Sequence, residues 1–154
     1  MRHWLLKTEP DTFGIDDLEA APRKTTSWEG VRNYQARNLL RDDFSRGDLG
    51  FLYHSSCAEP AIVGIVEVTR AGYPDPSAWD ARSEYHDAKS PENKPLWYTV
   101  DVRLKRRMKR AITLAELRTH ATKALAGFAL LRTGNRLSVM PVDEKHWQFI
   151  IGLE

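Results

Sequence analysis

Eleven consecutive residues, Trp28-Glu29-Gly30-Val31-Arg32-Asn33-Tyr34-Gln35-Ala36-Arg37-Asn38, carry two aromatics, two arginines, two asparagines, a glutamine and a glycine. Such a run is too polar for a core segment and too rich in flat, multi-donor side chains for a plain connector. Trp and Tyr offer stacking faces, Asn and Gln offer paired donor and acceptor edges, and Arg offers a fork for phosphate. One reading is a wall of a pocket for a flat polar ligand such as a nucleobase. The other is a turn into a surface helix, anchored by one buried tryptophan. Tyr73, Trp79, Trp97 and Tyr98 also fall in or beside loops and strand starts, where a base between two rings gains about 1–3 kcal/mol. Aimed polar groups for an extruded base could come from Lys7, Thr8, Glu9, Asn33, His54 and Ser55. The same aromatics could equally complete a small core.

Arg103, Lys105, Arg106, Arg107, Lys109 and Arg110 put six cations into eight residues. If this run leaves a strand as an exposed ribbon, it can neutralise phosphates and make binding strongly salt-dependent. Alternatively it is a solvated edge strand guarded by charge. Arg37 and Arg41, four apart on one helix face, are further phosphate candidates. Metal chemistry is disfavoured, because His3, His54, His86, His120 and His146 are scattered and form no HExxH or Cys/His ligand spacing. His54-Ser55-Ser56-Cys57 sets a base beside hydroxyls and a thiol, but neighbours in a strand point to opposite faces and no nucleophile elbow is present. No glycine loop of phosphate-binding type occurs. An enzyme acting on a nucleotide or a small amide, with Glu9 or His54 as base, stays open as a competing reading.

These residues must be positioned by a chain of 154 residues, 42% hydrophobic and 29% charged, with a net charge of +2. That length suits one domain over 1–154, and the small net charge means any nucleic-acid contact is local. The single cysteine, Cys57, excludes an internal disulfide and suits a reducing compartment. With no signal-type leader and no membrane-length apolar run, a cytoplasmic protein is expected.

Alternation predicts a strand over His3–Thr8, stopped by Glu9-Pro10-Asp11. A short helix is expected over Ile15–Ala20. Asn33 is placed to cap a helix from Tyr34 to Asp42, held on the core by Ala36, Leu39 and Leu40. Leu49–His54 alternates as a strand, and Ala61–Val68 reads as a central strand buried on both faces, with Gly64 marking a bend or a close approach. Residues 71–96 read as a long loop, of the kind that is functional when it occurs in a compact domain. Trp97–Lys105 returns to period two. Thr113 and Glu116 suggest a capping box, with Ile112 and Leu117 as its staple, and Arg136–Val142 a strand. Asp143 heads a final helix with Trp147, Ile150 and Ile151 inward. Three to five strands with adjacent hairpins predict an α+β fold, a small curved sheet or barrel decorated with short helices.

Several stretches together resemble the EVE domain family. They are Trp4-Leu5-Leu6-Lys7-Thr8-Glu9-Pro10, the Trp28–Asn38 run, Tyr53-His54-Ser55-Ser56-Cys57, Gly64-Ile65-Val66-Glu67-Val68, Tyr73-Pro74-Asp75-Pro76, Asp101-Val102 and Arg136-Leu137-Ser138-Val139-Met140-Pro141-Val142. The resemblance implies a PUA-like small mixed β-barrel flanked by helices, related to YTH domains. It also implies a non-catalytic binding module without a cofactor that recognises a modified base in DNA or RNA. By that analogy Lys7, Thr8 and Glu9, then Trp28, Glu29, Gly30 and Val31, would line the pocket with residues from the Tyr73 and Trp97 regions, and the polar groups of Asn33, His54 and Ser55 complete the expected set. Arg37, Arg41, Lys105, Arg106, Arg107 and Lys109 would hold phosphates, in a protein taken to be a monomer.

Overall fold

A computed structural model describes residues 1–154. Its centre is a six-stranded mixed sheet of strands β1 (His3–Thr8), β2 (Thr25–Ser27), β3 (Leu49–His54), β4 (Ala61–Pro74), β5 (Tyr98–Thr113) and β6 (Val139–Val142), in the order β2-β5-β4-β3-β1-β6. All pairings are antiparallel except β1 with β3, which run parallel from His3 opposite Leu49 to Thr8 opposite His54. A parallel pair needs a crossover, and here it holds α1 (Pro10–Phe13), α2 (Ile15–Ala20), β2 and α3 (Tyr34–Asn38). α4 (Leu114–Arg118) and α5 (Glu144–Leu153) follow β5 and β6. This is the α+β, PUA-like arrangement expected, a curved mixed sheet flanked by short helices.

Both faces of the sheet are covered. In β1, Trp4 and Leu6 join one apolar cluster with Ile15, Leu18, Ala36 and Leu40, while Leu5 between them joins a second with Leu117, Trp147 and Ile150. The long strands serve both clusters because their register slips. Pairing of β3 with β4 shifts between Leu52 and Tyr53, and pairing of β4 with β5 shifts between Ile62 and Gly64 and again between Ile65 and Val66. Each bulge turns the following side chains to the other face and bends the strand. Ile62 and Ile65 therefore face the second cluster while Val66 and Val68 face the first. Gly64 sits at this bend, and a Cβ there would fall 2.7 Å from Ile15 Cδ1 of α2. The expected bend and the expected close approach both occur.

Local signals hold where they were strong. Asn33 caps α3, its Oδ1 accepting from Ala36 N at 2.9 Å. The helix then widens into a π turn over Leu39–Asp43. Thr113 Oγ1 accepts from Glu116 N at 3.1 Å, but the Glu116 carboxylate pairs with Arg110 and does not close the capping box. Other boundaries differ from expectation. β2 spans only three residues, too few for periodicity to register, and exists because Thr25–Ser27 pairs with Asp101–Arg103. β4 runs on to Pro74 and β5 to Thr113, so the long connection begins later than 71 and the basic run lies inside a paired strand. β6 tolerates Pro141 because it is an edge strand.

Two expectations follow for stability. A Cβ on Gly72 would strike the Leu40 carbonyl oxygen and lie 3.0 Å from Arg41 Cα, whereas one on Gly152 in α5 meets nothing within 4 Å. Gly72→Ala should therefore lower unfolding free energy by about 1–3 kcal/mol, and Gly152→Ala should raise it slightly, as read from urea midpoints. Glu154 accepts from Arg106 and from Lys109 N, and the Arg106 bond leads in holding its carboxyl down to about 2. A depressed folded-state value stabilises above the ordinary carboxylate range, and that contribution is lost as pH falls towards about 2. Glu154→Gln should thus be less stable than wild type near neutrality, and the gap should close in acid.

Candidate nucleobase cavity

The Trp28–Arg32 segment is held at both ends. Trp28 N donates to Val100 O at 2.8 Å as the chain leaves β2, and the indole is 8% exposed within the first apolar cluster. Gly30 then adopts φ +89°, a left-handed conformation that a side chain disfavours. Its N–H donates to Asp75 Oδ2 at 2.9 Å. Arg32 donates to the same oxygen at 3.0 Å, to Ser77 Oγ at 3.2 Å and to the Tyr85 carbonyl at 2.7 and 3.2 Å. Asp75 is fully buried, and its second oxygen accepts from Ser77 N and Oγ at 2.9 and 2.6 Å. One carboxylate and one guanidinium thereby tie the segment to the end of β4 and to the 80–97 connection. The Tyr85 ring lies across Gly30, so close that a Cβ there would sit 2.6 Å from its Cζ.

Beside this segment opens a cavity of about 770 Å³. It is lined by Lys7, Thr8 and Glu9 from the end of β1, by Thr12 and Phe13 of α1, by Thr26 through Arg32, and by Ser55, Glu84, Tyr85 and Arg136 to Ser138. Only five of the 18 lining residues are hydrophobic, which suits a ligand with many polar edges. Three cations (Lys7, Arg32, Arg136) face three acids (Glu9, Glu29, Glu84) around it. Burial holds the Lys7 ammonium below its ordinary pKa. Burial, with Asp75 nearby, pushes the Glu29 carboxyl up. Burial and a hydrogen bond to Glu84 push the Tyr85 phenol up. No group of three or more His, Cys, Asp and Glu side chains is placed to hold a metal.

Of the expected ligand residues, Lys7, Thr8, Glu9, Trp28, Glu29, Gly30, Val31 and Ser55 line this one cavity, while Asn33, His54, Tyr73 and Trp97 do not. The other four have polar atoms engaged elsewhere in the fold. Asn33 spends its side-chain oxygen on the α3 cap. His54 Nε2 accepts from Ile15 N at 3.1 Å, and burial lowers its pKa, so that lone pair is committed to the start of α2. Tyr73 OH bonds Asp101 and Ser27. Trp97 is buried, donates to Asp87 at 2.7 Å, and lies with Tyr34 on its ring at 4.8 Å and Arg32 at 5.3 Å. None of the expected phosphate residues lines the cavity, and three of the six already have anionic partners. Arg106 pairs with Glu154, Arg107 with Asp16 and Glu19, and Arg41 with Asp42. Arg37 donates to the Leu96 carbonyl and to Asn38, and Lys105 and Lys109 stay exposed on β5.

Asp75 and Tyr85 escape sequence reasoning. Asp75 looks like a turn residue between two prolines, and nothing local marks Tyr85. Asp75→Ala should leave Arg32 and Gly30 N–H unpaired and reduce stability by about 3 kcal/mol, the low end for a buried pair because Arg32 remains 23% exposed. Asp75→Leu/Arg32→Leu should recover part of that loss, giving a coupling energy in a double-mutant cycle by chemical denaturation.

Comparison with known proteins agrees with the fold. Thymocyte nuclear protein 1 of Gallus gallus is 43% identical over 99% of this chain and 68% of that protein. The crystal structure of human THYN1 in complex with 5-methylcytosine-containing DNA superposes with a TM-score of 0.95 at 39% identity, covering 99% of this chain and 97% of that one. A crystal structure of a protein from Pseudomonas putida gives 0.92 at 46% identity, over 98% of each chain. The expected cytoplasmic placement is corrected by the avian and human relatives, which are named thymocyte nuclear protein 1. A lone free cysteine reports a reducing compartment, a property that nucleus and cytosol share. No helix is long and apolar enough to cross a membrane. The EVE domain profile matches residues 2–153, and this chain belongs to the EVE domain family.

Proposed function

We propose that this chain acts as one non-catalytic domain that takes a modified nucleobase of DNA into the cavity beside Trp28. The observation that carries the reading is the cavity itself, polar, open and lined by Trp28, Glu29–Val31 and the end of β1. The human relative solved with 5-methylcytosine-containing DNA supports the ligand class. A cytosine ring offers an exocyclic amine as donor, with ring nitrogen and carbonyl as acceptors. Glu29 and Glu9 are acceptors for the amine, and Lys7 is a donor for the carbonyl. Phe13, Val31 and Leu137 supply apolar surface for a ring substituent. Catalysis forms no part of the reading: of the two bases considered, His54 has its Nε2 engaged by Ile15 N–H, and Glu9 is assigned here to the exocyclic amine.

Fluorescence anisotropy with oligonucleotides carrying cytosine, 5-methylcytosine or other modified bases, in DNA and RNA, tests this. Trp28→Ala should weaken binding to the preferred oligonucleotide by about 1–3 kcal/mol and erase its margin over unmodified DNA, with circular dichroism confirming the fold. Equal weak binding of every oligonucleotide by both proteins would falsify the pocket. Glu29 adds a pH signature. Its acceptor form is the ionised one, so affinity is full above its pKa and falls as pH drops through it. Because desolvation and Asp75 raise that pKa, the fall begins at higher pH than for an ordinary glutamate. Glu29→Gln should remove the pH dependence over the weakly acidic range.

A further inference from the structure

The cavity does not end at Arg136. A second hollow of about 500 Å³ adjoins it, and Arg136 and Leu137 line both. Its walls are the start of α3, including Asn33 and Gln35, and the 132–136 turn with Arg132 and Asn135. No carboxylate lines it, whereas three line the first cavity. The turn carrying the arginines is built rather than loose. Asn135 Nδ2 donates to Ala129 O at 2.6 Å, and Asn135 Oδ1 accepts from Leu137 N at 2.9 Å. Arg132 and Arg136 are exposed on this ordered backbone, and neither guanidinium has an ion-pair or hydrogen-bond partner within the chain. The basic strand is the opposite case, with Arg103, Arg106, Arg107 and Arg110 each held by a carboxylate. An arginine already bonded to a carboxylate must surrender that bond before it can take a phosphate, whereas a free one on a fixed turn need not.

We infer that this groove is the track for the sugar-phosphate backbone of the strand whose base enters the cavity, with Arg132 and Arg136 contacting its phosphates. The inference rests on the base-reading function above and moves the phosphate contacts from β5 to the 132–136 turn. Arg136, lining both hollows, meets the phosphate next to the inserted base. Arg132 meets one further along the strand, beside the amide of Gln35.

The test compares a 5-methylcytosine oligonucleotide, its unmodified counterpart and free 5-methyl-2′-deoxycytidine, which has no phosphate, across a salt series. Arg132→Gln and Arg136→Gln should each lower oligonucleotide affinity about fivefold and flatten the slope of log affinity against log salt by about 0.7–0.9. Arg132→Gln should leave nucleoside affinity unchanged, and Lys105→Gln should change neither ligand. Wild-type affinity and slope in both arginine variants, or an equal loss in Lys105→Gln, overturns the track. Failure of the wild type to bind any oligonucleotide overturns it too. A wild type that does not distinguish modified from unmodified DNA, yet loses affinity and slope in the arginine variants, overturns the base reading and leaves the track standing.

Discussion

Asp75 is a buried carboxylate placed where the end of β4 meets the segment after β2, and that location obliges its surroundings to be what they are. A charge in that position is tolerated only if it is paired and its remaining lone pairs are bonded. Arg32 supplies the charge, and Gly30 N–H, Ser77 N–H and Ser77 Oγ supply the bonds. Satisfying Asp75 thereby sets the course of the Trp28–Arg32 backbone. Arg32 then uses its other donors to hold the Tyr85 carbonyl, which brings the Tyr85 ring over Gly30. The cavity wall thus follows from one carboxylate, and Gly30 is required twice, for its positive φ and for the ring that rests on it.

Charge is divided between two tasks in this molecule. Along β5 the arginines knit the sheet to its surroundings: Arg107 reaches Asp16 and Glu19 at α2, Arg106 reaches Glu154 after α5, and Arg110 reaches Glu116 in α4. These are partly exposed pairs, each worth little alone, but they neutralise what would otherwise be a block of like charge on one strand. Around the cavity and its neighbouring groove, by contrast, Lys7, Arg132 and Arg136 carry no internal counter-ion. Density of cations in sequence is therefore a poor guide to which of them stay unpaired. What matters is whether the fold has already supplied an anion.

Local sequence pattern marks most of the elements and singles out the central stretch. Period-two alternation marked β1 and β3, a β-rich apolar run marked β4, and Asn33 and Thr113 marked helix starts that their side chains do cap. The EVE motifs and the aromatic-polar composition of Trp28–Asn38 point to a base-binding wall, and seven other expected residues share one cavity with Trp28. All of this is local information, carried by neighbours one to four residues apart.

Tertiary structure decided the rest, because the deciding partners are far apart in sequence. β2 exists through its pairing with β5, and the bulges that turn β4 and β5 from one cluster to the other depend on register with neighbouring strands. Asp75 is 45 residues from Gly30, Tyr85 is 53 from Arg32, and Arg107 is 91 from Asp16. Whether Trp97 and Tyr73 face a ligand or brace the wall, and whether an arginine is free or already paired, are questions of such distant contacts. A single sequence records the donors and acceptors, and only the folded chain shows which of them have met.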